Sequence, residues 1–282
     1  MRLAILLCVA VLLSTLALAR SSNAATPDQL NETGIAQYKS AHLDDALSTF
    51  VKALDIYKLR DDSKGVATAL TEISMCYEGF RQSQTALDYL EQALLKWRQI
   101  GDRDYEASTL GREGDVYRAW GFPDLAIRRY RQALRLFLIA GDRSGTAAVL
   151  NNIGLAYLDL GKRKQARLNF DTSLELYNSL HDAGGQATAM INIGMIHTQT
   201  HDPSKALEML NRALGLMTPL SDKGLQAACL NAIGQAYAGM GDRRRALQSY
   251  NSALLEFSEI GNRGGNAEVL RNIRLLSAGK SR

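Results

Sequence analysis

Residues 147–182 read AAVLNNIGLAYLDLGKRKQARLNFDTSLELYNSLHD. Leu150, Ile153, Gly154 and Tyr157 fall at i, i+3, i+4 and i+7, the spacing of one helical face. Gly161-Lys162 interrupts that rhythm, and Ala166, Phe170, Ser173 and Leu174 resume it. So short a break makes the two helices antiparallel neighbours. Gly154 and Ala166 are expected where the axes cross, with Tyr157 and Phe170 filling the flanks. Any larger side chain at the crossing would push the pair apart.

Outward from this stretch, the same pattern repeats every forty residues. Ala46, Ala86, Ala126, Ala166, Ala206 and Ala246 keep that spacing, as do Asp62, Asp102, Asp142, Asp182 and Asp222, with Asn262 next. Leu70, Leu110, Leu150, Met190, Leu230 and Leu270 form a third series, Gly114, Gly154, Gly194 and Gly234 a fourth, and Tyr77, Tyr117, Tyr157 and Tyr237 a fifth. Register held over so many periods is the signature of a repeat architecture. Pro123 and Pro203 occupy equivalent turn positions, where a second helix opens and a missing N–H costs nothing. Gly101-Asp102-Arg103 and Gly141-Asp142-Arg143 read as a glycine helix stop followed by an Asx-type turn or an N-cap.

The run Leu–x2–Ile–Gly–x2–Tyr, followed by Ala, an aromatic or Leu, and Ala, resembles the tetratricopeptide repeat. The resemblance covers residues 27–277 in six units: 27–62, 67–102, 107–142, 147–182, 187–222 and 227–262. The first is degenerate, with Thr33 and Gln37 where Ile and Tyr are expected. The unit has forty residues, not thirty-four, and apart from Pro219 lacks the usual proline near its end. This variant is similar to the repeats of kinesin light chains and of bacterial proteins whose repeats precede a caspase-like peptidase domain. The resemblance implies an all-α fold, a right-handed α-solenoid whose first helices line the inside and second helices the outside. Residues 266–277 begin a seventh first helix, with Leu270 and Ile273 in the core series and Arg274 at the close-approach position. An arginine suits that position only where no second helix follows, so the segment is expected to be a cap, with 278–282 as a tail and no catalytic domain to come.

The opening residues read as an export signal. Arg2 precedes the apolar run Leu3–Ala19, and Ala17-Leu18-Ala19 and Ser22-Asn23-Ala24 each offer small residues for cleavage. Seventeen residues stand at the short end of the spanning range, which favours a signal peptide over 1–24 above a retained anchor. Cys8 is a hydrophobic filler of that run. Cys76 and Cys229 lie some four repeats apart and are predicted to be free, largely buried thiols. The protein is read as periplasmic or secreted, of bacterial origin by resemblance.

Formal charge is +4, aromatics make up 7% of residues and cysteines number three. That profile excludes a basic nucleic-acid arm and a disulfide-stapled miniature. No phosphate loop, nucleophile elbow or HExxH motif is present, and no cofactor is expected. An enzyme is therefore disfavoured in favour of an adaptor or scaffold holding a protein or peptide segment.

Helical geometry places the candidate groove. Positions one, five and eight after each leading Leu point a third of a turn from the core. They are Thr71, Met75, Glu78; Gly111, Asp115, Arg118; Asn151, Leu155, Leu158; Ile191, Met195, Thr198; and Asn231, Gln235, Ala238, with Arg271 extending the row. Asn31, Asn151 and Asn231, with Asn152, Asn192 and Asn272 adjacent, approximate an amide ladder. An amide can pair with a guest's peptide group through both donor and acceptor; the competing reading has these residues merely capping or solvating the groove. Leu155, Leu158, Ile191 and Met195 form an apolar floor of the kind that marks a binding site when exposed, unless they pack on the next repeat.

Residues 118–167 carry a net +7, through Arg118, Arg143 and the convex set Arg128, Arg129, Arg131, Arg135, Lys162, Arg163, Lys164 and Arg167. A solvated face is the plainer reading. The alternative is an envelope-associated protein touching anionic lipid or polymer there. No aromatics interleave as a nucleic-acid surface requires. His197 and His201 stand four apart, a spacing that can hold zinc. However, His197 replaces a core tyrosine, His201 a turn glycine, and only Asp202 offers itself as a third ligand. Oligomeric state is left open.

Overall fold

The computed structural model describes residues 25–217 and 222–279, so the export signal and Pro219 lie outside the described residues. Every described element is a helix, and the helices alternate in antiparallel pairs. They divide into two compact units that meet in sequence at Asp102 and Arg103. The N-terminal unit holds α1 (Pro27–Lys39), α2 (Leu43–Leu59), α3 (Ser63–Gly79) and α4 (Ser83–Ile100). The C-terminal unit holds α5 (Arg103–Ala119), α6 (Pro123–Ala140), α7 (Arg143–Asp159), α8 (Arg163–Leu180) and α9 (Ala183–Gln199). It continues through α10 (Pro203–Met217), α11 (Lys223–Gly239), α12 (Arg243–Glu259) and α13 (Arg263–Ser277). This is an all-α solenoid. No described helix is long and apolar enough to cross a membrane.

The recurring acid is an N-cap. Asp62, Asp142, Asp182 and Asp222, and Asn262 after them, each accept a hydrogen bond at Oδ1 from the backbone N–H three residues on, satisfying a donor the helix leaves open. Asp102 also pairs with Lys64 Nζ at 3.5 Å. Pro123 and Pro203 open α6 and α10.

Turns close every twenty residues, not every forty. Positions 41, 61, 81, 101, 121, 141, 161, 181, 201, 241 and 261 all have a left-handed backbone. At 158–162 the geometry is a Schellman ending: Lys162 N–H donates to Tyr157 O at 2.8 Å and Gly161 N–H to Leu158 O at 2.9 Å. Five described turns of this series carry a non-glycine residue, Arg81 at φ 60° among them. Arg81→Gly therefore removes a Cβ clash with the backbone, and the midpoint of thermal unfolding should rise by a gain of about 1 kcal/mol. An unchanged or lower midpoint would mean that strain at this turn is negligible.

The helix crossing differs in detail from expectation. The Phe170 ring is not on the flank but on the glycine itself: a Cβ on Gly154 would lie 2.5 Å from the ring. Tyr250 stands in the same way on Gly234, and Leu210 on Gly194. A second glycine contact escaped the sequence reading. Gly145, at the third position of α7, donates its N–H to the Asp142 cap and faces Phe137 so closely that a Cβ would sit 2.5 Å from that ring. One glycine thus serves both the cap and the aromatic ending the previous helix.

Cys76 and Cys229 are free and fully buried; burial pushes their thiols up to about 11 and about 12. At the last helix the core series loses one member, while the position before it stays buried as Ala69, Thr109, Val149, Ala189 and Cys229 do in the earlier first helices. Val269 is fully buried while Leu270 is 40% exposed. No described helix follows α13, so the face that Leu110 and Met190 bury is open at Leu270, and Arg274 is likewise exposed.

Candidate functional site: the first-helix face

The fifth and eighth positions of the stripe named from helical geometry are half-buried repeat after repeat. In the N-terminal unit Met75 and Glu78 are half-buried; in the C-terminal unit Asp115, Leu155, Met195 and Gln235 are half-buried at the fifth position, and Arg118 and Leu158 at the eighth. Thr71 is half-buried as well and turns its hydroxyl onto Ala67 O of its own helix at 2.9 Å. Arg271 is exposed.

Buried asparagines do a different job from the expected ladder. Asn192 Nδ2 donates to Asn151 Oδ1 at 2.8 Å, and Asn272 Nδ2 to Asn231 Oδ1 at 3.0 Å. Asn231 Nδ2 in turn reaches Glu268 Oε1 at 3.1 Å, and Asn152 Nδ2 reaches Asp115 Oδ1 at 3.2 Å. Asn151, Asn192 and Asn231 are each under one tenth exposed. These amides bridge successive first helices. A buried amide needs a partner, and the neighbouring repeat supplies it.

The apolar floor is likewise partly consumed by packing. Ile191 is 6% exposed and sits in the core with Met190, Leu210, Ala213 and Ile233. Leu155 and Leu158 lean on the cluster of Phe170, Ile193 and Ile196, and Met195 on the Ile191 cluster.

Two adjoining cavities open on this face of the C-terminal unit. The first, of about 230 Å³, is lined by Ile191, Met195, Leu225, Ala232 and Phe257, with Asn231, Gln235 and Glu268 at its polar edge. The second, of about 360 Å³, is lined by Arg163, Thr198, His201, Gln235, Arg271 and Asn272, among others. Gln235 belongs to both. Four of the residues predicted from spacing meet in the first cavity, and four, Thr198, Gln235, Ala238 and Arg271, meet in the second.

Further along the same face, Tyr130 Oη donates to Asp115 Oδ1 at 2.6 Å. Burial raises the Asp115 carboxyl despite that bond and the flanking Arg118 and Arg112, and the Tyr130 phenol is raised too. Arg118 pairs with Asp159 at 3.4 Å.

Two members of the predicted convex basic set, Arg129 and Arg167, are half-buried, and several of the set have partners. Arg129 Nε pairs at 3.1 Å with Glu113, which is 3% exposed. Arg131 donates to Tyr157 Oη at 2.9 Å, Arg163 to Gln199 at 3.3 Å, and Arg167 to both oxygens of Asp171 at 2.8 Å. Arg131 and Arg163 remain exposed despite these bonds, as do Arg128, Arg135, Lys162 and Lys164.

His197 sits 2.8 Å from Arg167 through Nε2 and 4.0 Å from Asp202 through Nδ1. A guanidinium donating to Nε2 requires a neutral ring with that nitrogen as acceptor. It also takes the nitrogen a metal would need. No group of three His, Cys, Asp or Glu side chains among the described residues is placed to hold a metal. His201 forms the left-handed turn. Burial and Arg167 together hold the His197 imidazole below its ordinary 6.5, against the opposing pull of Asp202 and Asp171. The folded state therefore favours the neutral ring. Stability from this site is full above about pH 6.5 and is lost as pH falls through the depressed folded value. His197→Tyr should flatten the denaturation midpoint between pH 7 and 5; an equal slope in both proteins would assign the pH dependence elsewhere.

The tetratricopeptide-repeat family model matches residues 65–139, 105–179, 145–218 and 185–254, more than half of the chain. Among curated proteins none matches. Several solved structures share the fold. BtubC (BKLC) from P. vanneervenii superposes with TM-score 0.65 at 18% identity, over 78% of this chain and 92% of that one. The Rap conjugation gene regulator of plasmid pLS20, solved in complex with the Phr* peptide, gives TM-score 0.65 at 16% identity over 85% of this chain and 65% of that one. The nearly identical kinesin-light-chain TPR-like repeats of Podosopora anserina give TM-score 0.54 at 14% identity, over 68% and 94%.

Proposed function

The chain belongs to the tetratricopeptide-repeat family, and from that premise we propose that it is a non-enzymatic adaptor holding a peptide or protein segment on the first-helix face of its C-terminal unit. The observation that carries this reading is the pair of cavities around Gln235, opened where sequence spacing put the groove. Concave, mostly apolar sites with a few convergent polar groups are where ligands bind. A fold shared with a regulator solved holding a peptide supports the same class of partner. Export to the periplasm or beyond belongs to the proposal, on the support of Arg2 and the apolar run Leu3–Ala19.

The test uses Met195→Glu, because Met195 is half-buried at the cavity edge. Affinity purification from the native cell envelope should recover a partner with the wild-type protein and lose it with the variant, while melting shifts by less than about 1 kcal/mol. Equal recovery by both proteins would remove this face from consideration.

One observation favours a second reading, contact with anionic lipid or polymer. Arg128, Arg135, Lys162 and Lys164 stand exposed with no ion pair among the described residues. Binding to anionic liposomes that is lost at moderate salt would support it.

A further inference from the structure

Building on the groove reading, we propose that the segment held there carries an acidic side chain beside an aliphatic one, with Gln235 gripping the peptide group between them. The two cavities differ in chemistry. The larger brings Arg163 and Arg271 together with Thr198, His201 and Asn272, and no Asp or Glu is among its lining residues. Arg163 already donates from Nε to Gln199 at 3.3 Å, whereas Arg271 is exposed and has no ion pair among the described residues. A concave wall with two guanidinium groups and no carboxylate is complementary to an anion, and a carboxylate meets a guanidinium in two parallel hydrogen bonds.

The smaller cavity has the opposite character. Ile191, Met195, Leu225, Ala232 and Phe257 give it an apolar wall. Its single charged lining residue, Glu268, is held by Asn231 Nδ2 at 3.1 Å. A fixed carboxylate at that rim repels a second one, so the acid is excluded from the apolar side and directed to the arginines. The difference in charge thus sets the direction in which a guest lies.

Gln235 is half-buried on the wall common to both cavities. The asparagines expected to read a guest's backbone are spent on one another between repeats. Gln235 is one helical turn beyond Asn231 on α11 and offers the donor and acceptor that a single peptide group requires. The acid is taken as an Asp or Glu side chain, not a chain end, because the apolar cavity adjoins the cationic one and the segment must continue into it.

The test measures binding of capped peptides, without terminal charge, carrying one Glu and one Leu at varied separations. Each is compared with its Glu→Gln and Leu→Ala counterparts, on wild-type protein, Arg271→Glu, Gln235→Ala and Met195→Glu. At least one Glu/Leu peptide should bind, with about tenfold loss for the Gln counterpart, one charge-assisted pair's worth. Arg271→Glu should abolish the preference for Glu over Gln while leaving the Leu dependence. Gln235→Ala should weaken all peptides alike. If Glu and Gln peptides bind equally yet Met195→Glu abolishes both, the acidic specificity is wrong and the groove stands. If Met195→Glu changes nothing, the groove reading itself falls. If no peptide in the panel binds, the proposed recognition is overturned. Arg271 is exposed, so its variant tests recognition without disturbing the core.

Discussion

Phe170→Ala is expected to lower the stability of the C-terminal unit by about 4 kcal/mol, the range for deleting a buried aromatic ring. The ring is fully buried, packs with Ala166, Ile193 and Ile196, and lies directly on Gly154. Its removal leaves a void at the crossing of α7 and α8 that neither helix can close, because Ser173 Oγ still ties α8 to Ala147 O at 2.8 Å. The complementary change, Gly154→Ala, should cost about 2 kcal/mol by overpacking, since the new Cβ would stand 2.5 Å from the ring. Together the two should cost less than their sum, because the added methyl enters space the ring has vacated. Denaturant unfolding of the four proteins measures the coupling. Strict additivity would mean that ring and glycine do not share one contact.

Ile191→Glu carries the second large effect, and it separates core from groove. Read from the sequence alone, Ile191 belongs to an exposed floor, and a charge there would cost little stability. In the structure it is 6% exposed among Met190, Leu210, Ala213 and Ile233. A carboxylate placed there loses its hydration and gains no cation. The expected loss is about 4 kcal/mol or more, among the largest a single substitution produces. Met195→Glu, one helical turn away and half-buried, should leave melting nearly unchanged. Circular-dichroism melting of both variants decides the matter. Coincident curves would return Ile191 to the solvent-facing floor.

The groove stripe could be located from the sequence because helical periodicity fixes direction. Once Leu150, Ile153 and Tyr157 mark the core, residues a third of a turn away are bound to stand at its margin. The half-burial of Met75, Asp115, Leu155, Met195 and Gln235 follows from that alone. Periodicity carries no information about how far the next repeat leans across, and that lean decides whether Ile191 is wall or core. It also decides whether Asn151 faces a guest or Asn192. The contact of Arg167 with the next repeat was hidden for the same reason. His197 belongs to another repeat, whereas Arg129 meets Glu113 within its own repeat, from the second helix onto the first.

What the sequence determined by itself is the local order: the caps at Asp142 and Asp182, the proline starts of α6 and α10, the small residue at each crossing and the forty-residue beat. These depend on interactions within a few residues or across one tight turn, so spacing records them completely. Only the tertiary structure decided which side chains meet one another between helices, within a repeat and across repeats. It alone set Phe170 on Gly154, linked Asn192 to Asn151, and opened one apolar and one cationic cavity on either side of Gln235. Such contacts depend on how side chains from different helices fit together, sixteen residues apart for Phe170 and Gly154 and forty-one for Asn192 and Asn151, and no period in the chain encodes that fit.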